Sequence, residues 1–204
     1  MGERQKPTRL YLVRHGEVVR RGQGKFLGFT DLPLSARGRR QVQALAEHLK
    51  DTPLNLVFSS DLKRTMETAE IICRGRGIRV KAESAFREMD MGLWDGKSWE
   101  EIRQEFPDAD PRFYDLKRFH FPGGEHWGAF RRRILKALQG VLEMGEGRNI
   151  LLSAHAGVNR VILAQALGLP FRHMFRMDQD PACLNIVVYY EKGVRVERIN
   201  AVYP

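Results

Sequence analysis

Cysteine is scarce: Cys73 and Cys183 are the only two in 204 residues and lie outside any CxxC spacing. Neither a disulfide framework nor a zinc site is signalled, and both read as buried, unreactive thiols. Long apolar runs are absent too, none approaching the ~20 residues of a membrane-spanning helix. The polar start MGERQKPT is followed by only a short apolar stretch before Arg14 and His15, too brief for a signal peptide, so a cytoplasmic location is expected. There is no linker rich in Pro, Gly or Ser, no internal repeat and no low-complexity tract. At this length, enough for one well-filled core and short for two, residues 1–204 are expected to form a single domain.

Acidic residues are the minority, 25 against 34 Lys and Arg, for a formal net charge of +9. Such a balance favours anionic ligands, with nucleic acid the first to consider. The arginines of Arg20-Arg21, Arg39-Arg40 and Arg131-Arg132-Arg133 are, however, spread along the chain, mostly on polar faces of predicted helices. No RNP signature, zinc finger or basic-region heptad accompanies them. A field that draws in a small phosphorylated molecule accounts for the same charge.

Strand and helix signals alternate from end to end. Leu10 to Val13 suits a buried strand. Ser35 is placed to cap a helix with Val42, Leu45, Ala46 and Leu49 on one face. Leu54 to Phe58 reads as a second strand, after which Ser59 and Ser60 open a helix with Leu62, Met66, Ala69 and Ile72 inward. Gly75 and Gly77 precede a short strand from Ile78 to Val80. The stretch from Glu83 to Gly124 reads as irregular apart from a helix from Ser98 to Phe106, and is where a substrate lid could sit. A long helix from Glu125 to Met144, a core strand from Asn149 to Ser153, a helix after His155 and a strand pair around Lys192-Gly193 complete the chain. The alternation predicts a three-layer α/β/α sandwich on a mostly parallel sheet.

Ligands of such sheets bind beyond the carboxyl ends of the strands, and three chemically loaded segments lie there: Arg14-His15-Gly16, Ser59 to Arg64, and His155. A neutral imidazole is a good nucleophile toward phosphorus once nearby cations offset the phosphate charge. Arg14 offers planar, permanent donors beside His15. Gly16 lets the backbone turn tightly and approach a phosphate. Arg64 supplies a second cation from the first turn of a helix, where backbone N–H groups also favour anions. If protonated or donating, His155 is a further phosphate ligand opposite His15. Phosphoryl transfer also needs a proton donor for the departing oxygen, a role open to Glu88 or to its neighbours Asp90 and Asp95. Each residue alone has a bland reading: a satisfied structural histidine, a solvated arginine, a loop carboxylate.

Taken together, LYLVRHGE at Leu10 to Glu17, DLPLSARGRRQ at Asp31 to Gln41, VFSSDLKRTMETA at Val57 to Ala69, FREMDMGLWDGKSWEEI at Phe86 to Ile102, PGGE at Pro122 to Glu125 and LLSAHAGV at Leu151 to Val158 resemble the histidine phosphatase (phosphoglycerate mutase-like) superfamily, in order and over nearly the whole chain. The resemblance implies a phosphorylated His15, phosphate held by Arg14, Arg64 and His155, and Glu88 as the acid–base residue. It implies no metal or organic cofactor. Two departures bear on substrate binding: Arg21 stands where many members have asparagine, and the usual serine-glycine reads Leu27-Gly28, with Lys25 two residues before. Arg21 would suit a second anionic group on the substrate.

The short chain, PGGEH and HAGVNRVIL resemble the α-ribazole phosphatase and broad-specificity branch, so a phosphomonoester hydrolase acting on a small metabolite is expected. A cofactor-dependent phosphoglycerate mutase uses the same residues and is the alternative. An anion- or nucleic-acid-binding protein without turnover is a third reading, of another class. His120, Phe121, His126 and Trp127, in the Arg118 to Trp127 stretch, read equally as pocket wall or core, and neither the metabolite nor the oligomeric state is legible.

Overall fold

The structure, a computed structural model, describes residues 6–19, 24–107, 116 and 119–204. In chain order its elements are β1 (Thr8–Arg14), α1 (Ala36–His48), β2 (Leu56–Ser59), α2 (Lys63–Cys73), β3 (Val80–Ala82), α3 (Trp99–Glu105), α4 (Trp127–Met144), β4 (Asn149–Ala154), α5 (Ala156–Ala166), β5 (Leu184–Tyr190) and β6 (Gly193–Ala201). One sheet runs in the order β3-β2-β4-β1-β5-β6. Its β1, β2, β3 and β4 are mutually parallel, while β5 runs antiparallel to β1 and β6 antiparallel to β5.

Strand alternation sorts the apolar residues into two cores. Leu10 and Leu12 of β1 face one side with Ile150 and Leu152 of β4, against Phe130, Ile134 and Leu138 of α4 and Val158, Val161 and Ile162 of α5. Tyr11, Val13 and Leu151 face the other, against Val42 and Leu45 of α1 and Ala69 and Ile72 of α2. Both faces being covered explains why the β1 and β4 runs are apolar throughout. This is the expected three-layer sandwich on a mostly parallel sheet.

Local expectations hold except at α2 and β3. Ser35 caps α1 by accepting from Gly38 N at 2.9 Å, as its spacing suggests. Ser59 and Ser60, in contrast, do not cap α2: Ser59 ends β2, Leu62 stands at the cap without a side-chain bond, and the buried face is Arg64, Thr65, Thr68, Ala69, Ile72 and Cys73, with Met66 only half-buried. A polar face is buried because it backs onto the strand ends rather than the apolar sheet centre. The third parallel strand lies at Val80–Ala82, displaced from Ile78, because its register pairs Val57 with Val80 and Ser59 with Ala82. The helix from Ser98 is present as α3, with a capping box between Ser98 and Glu101.

The stretch after Glu83 is irregular apart from α3 and two short 3₁₀ turns, Ser84–Phe86 and Gly92–Trp94, yet Phe86, Met89, Trp94 and Ile102 are buried in the α4/α5 core. Phe121 and Trp127 join that core, while His120 and His126 stack at the surface with ring centroids 4.8 Å apart. Both cysteines are buried, and burial raises the Cys73 thiol and pushes that of Cys183 up to about 11. Among the described residues no helix is long and apolar enough to cross a membrane.

Candidate active site

Because β2, β4 and β1 are neighbours, the segments that follow them meet at one end of the sheet. The ladder continues one step past each pair: His15 N donates to Ala154 O, and Ser60 N to Ser153 O, each at 3.0 Å. His15 and Ser60 are thereby fixed by backbone geometry, His155 follows directly on β4, and the rings of His15 and His155 stand edge to face at 5.2 Å between centroids.

His15 Nδ1 lies 2.7 Å from Gly16 O. A nitrogen facing a carbonyl must carry the proton, so in the neutral ring the lone pair is left on Nε2. Burial, then Arg64 and Arg14, hold the imidazole well below the ordinary histidine range, which keeps the lone pair available at neutral pH. Gly16 answers to packing as much as to any ligand, since a Cβ there would stand 2.5 Å from Gly38 O in the first turn of α1.

His155 accepts from Arg64 Nε at Nδ1, 3.3 Å away, and its Nε2 faces Ser60 Oγ at 3.0 Å. Burial, then Arg64, His15, Arg14 and Arg133, disfavour its cationic form, so of the two forms the sequence left open the structure favours the neutral donor. Arg64, 1% exposed, spends its other nitrogens on backbone: Nη1 donates to Thr30 O and Nη2 to Gly28 O, both at 2.7 Å. The first turn of α2 is less open to an anion than expected, because Lys63 N already donates to Asp31 Oδ1 at 2.7 Å.

Arg14 donates from Nη1 to the carbonyl of Gln179, and its buried Nε has no hydrogen-bond partner. Gln179 is itself knotted to Asn159 of α5 and Asn185 of β5. Of the three candidate acids, Glu88 reaches the site. Its Oε1 accepts from Met89 N at 3.0 Å and its Oε2 from Gly157 N at 2.9 Å. A Cβ on residue 157 would lie 2.3 Å from Glu88 Oε1, so a larger residue there would displace the carboxylate. Asp90 turns back onto Gly92 N. Asp95 holds the loop before Asp31, accepting from Gly28 N at 2.8 Å and Thr30 N at 2.7 Å.

A cavity of about 600 Å³ opens over these groups. Arg14, His15 and Glu88 line its floor, Lys25 its rim, and Val18, Val19, Leu27 and Leu32 an apolar wall. Lys25 Nζ is 3.3 Å from Glu101. Gly28 does not line the cavity; its contribution is the carbonyl that holds Arg64. Arg64 and His155 also lie outside the lining. Arg21 falls outside the described residues, as does Arg118. Among the described residues no group of three or more His, Cys, Asp or Glu side chains could hold a metal ion.

Reasoning from sequence missed Asp95's role on the 28–30 loop, Gln179 and the inward turn of Arg133. Asp95 sits inside a quoted motif and was within reach; Gln179 had no local signal. The profile of the histidine phosphatase superfamily (branch 1) matches residues 10–202. The adenosylcobalamin/alpha-ribazole phosphatase of Escherichia coli (strain K12) is 28% identical over 194 residues, covering 95% of this chain and 96% of that protein. A Salmonella choleraesuis protein named "Probable phosphoglycerate mutase GpmB" is 32% identical over 162 residues, covering 79% and 75%. The crystal structure of the alpha-ribazole phosphatase from Shigella flexneri superposes with a TM-score of 0.87 at 28% identity, covering 95% of this chain and 96% of that one.

Proposed function

This chain belongs to the histidine phosphatase superfamily and is a phosphatase, and we propose that it hydrolyses a small phosphomonoester through a phosphohistidine on His15, with α-ribazole phosphate the first substrate to try. The observation that carries this reading is the Nδ1 contact of His15 with Gly16 O at 2.7 Å, which leaves Nε2 as the nucleophile beside Arg14, Arg64 and Glu88.

In the first step His15 Nε2 attacks phosphorus, the phosphorus–oxygen ester bond breaks, and Glu88 gives a proton to the departing oxygen. Arg14 and Arg64 offset the phosphoryl charge, and His155 adds the Nε2–H that the resting site directs at Ser60. In the second step water attacks the phosphorus, gives a proton to Glu88, and the phosphorus–nitrogen bond breaks, returning the lone pair to His15. Lys25 at the rim and the Val18, Val19, Leu27 and Leu32 wall receive the alcohol portion, and Arg21 pairs with a second anionic group where the substrate has one.

The mutase reading is favoured by the 32% identical relative and uses the same first step, followed by return of the phosphoryl group to bound product. Phosphate release from p-nitrophenyl phosphate, α-ribazole phosphate, sugar phosphates and phosphoglycerates, with His15→Ala beside wild type, tests the proposal. Release by wild type alone is the expected result. Efficient interconversion of phosphoglycerates in the presence of 2,3-bisphosphoglycerate, without phosphate release, would sink it.

A further inference from the structure

The run Arg131-Arg132-Arg133 divides between two environments. Arg131 and Arg132 are exposed on α4, whereas Arg133 is half-buried and turned toward the backbone that carries Glu88. Its Nε donates to Glu125 Oε1 at 3.0 Å and its Nη2 to Glu125 Oε2 at 2.7 Å, a two-pronged ion pair. Nη1 donates to Ala85 O at 2.8 Å and to Arg87 O at 3.0 Å, and Nη2 also to Glu88 O at 3.2 Å. All five guanidinium donors are thereby used. Residues 87–91 belong to no helix or strand, so this guanidinium supplies the order that a ladder supplies to His15.

We propose that Arg133, oriented by Glu125, is a positioning residue that sets the carboxyl of Glu88 at the distance needed to protonate the leaving oxygen. It touches no substrate. The proposal rests on the phosphatase reading above, in which the proton moves from Glu88 to the ester oxygen as the phosphorus–oxygen bond breaks. A lysine retains the charge but has three donors on one nitrogen and cannot span three carbonyls and a carboxylate.

The test compares first-turnover rates of alcohol release from glycerol phosphate, whose alkoxide needs a proton, with those from p-nitrophenyl phosphate, whose phenolate leaves without one. Arg133→Lys is expected to slow the alkyl ester by about 30-fold and the nitrophenyl ester by no more than about threefold, since a displaced general acid forfeits part of its contribution. Glu125→Gln is expected to show the same split at about fivefold on the alkyl ester. Should Arg133→Lys fail to fold, Glu125→Gln carries the comparison. Equal losses on the two esters, or no loss on either, would overturn the positioning role. Absence of His15-dependent release by wild type would instead overturn the phosphatase reading, and is seen before any of these variants is compared.

Discussion

The two halves of the site are held by different means. His15 and His155 stand one residue beyond the paired strands β1 and β4, and the bond from His15 N to Ala154 O extends the sheet's own ladder. Glu88 and the 28–30 loop sit on irregular backbone held by groups from distant parts of the chain: the Arg133 side chain and the Gly157 backbone N–H for Glu88, the Asp95 and Arg64 side chains for the loop. On the ladder side a substitution removes a chemical group and leaves its neighbours placed. On the irregular side, residues far from phosphorus decide where the chemistry sits.

The sharpest test of the ladder half is His15→Ala, expected to lower phosphate release by on the order of 10⁴-fold because no other group can take up the phosphoryl transfer. In the irregular half, Glu88→Gln is expected to cost about 10²–10³-fold on alkyl esters and much less on nitrophenyl esters. Equal losses on both ester types would remove Glu88 from the acid role.

Stability against pH probes the ladder half without any substrate. His15 and His155 are held well below the usual histidine range in the folded protein, so the unfolded chain binds more protons below its ordinary value near 6.5. Their contribution is therefore fully present above pH 6.5 and is lost as pH falls below it. Urea unfolding between pH 6.5 and 5 is expected to lose less stability per pH unit in His155→Gln than in wild type; an unchanged slope would mean that His155 titrates normally.

The smallest effect belongs to Asp95→Asn. It sets an amide N–H against one of the two backbone donors at Gly28 and Thr30 and is expected to cost about 1–2 kcal/mol of stability. Through the carbonyls that hold Arg64, vanadate inhibition is expected to weaken about fivefold. Unaltered inhibition would uncouple the loop from Arg64.

The ladder half was legible because its signals are local: an apolar run of strand length, then Arg14, His15 and a glycine, and the same syntax at His155. The irregular half was legible only in part. Glu88 was named through the resemblance; on the residues alone Asp90 and Asp95 could stand in for it, and backbone partners set those two aside. Arg133 could not be told from Arg131 and Arg132, since a helix pattern says which face is polar and not which polar group meets a carbonyl. The Ile78 strand was displaced because edge register is set by partner and turn, and hydrophobicity alone does not choose between them.

Alternation of strand and helix signals, with loaded residues at the strand ends, determined from sequence alone that this is an α/β sandwich with those residues gathered at one end of its sheet. Tertiary structure decided which nitrogen of His15 is free, that burial and neighbouring cations disfavour the charged form of His155, that Asp31 occupies the first turn of α2, and that Glu88 depends on an arginine 45 positions away. The physical reason is range. Periodicity and motif spacing follow from the backbone's local geometry, whereas proton placement and the pairing of buried charges depend on groups that only the folded chain brings within hydrogen-bond distance.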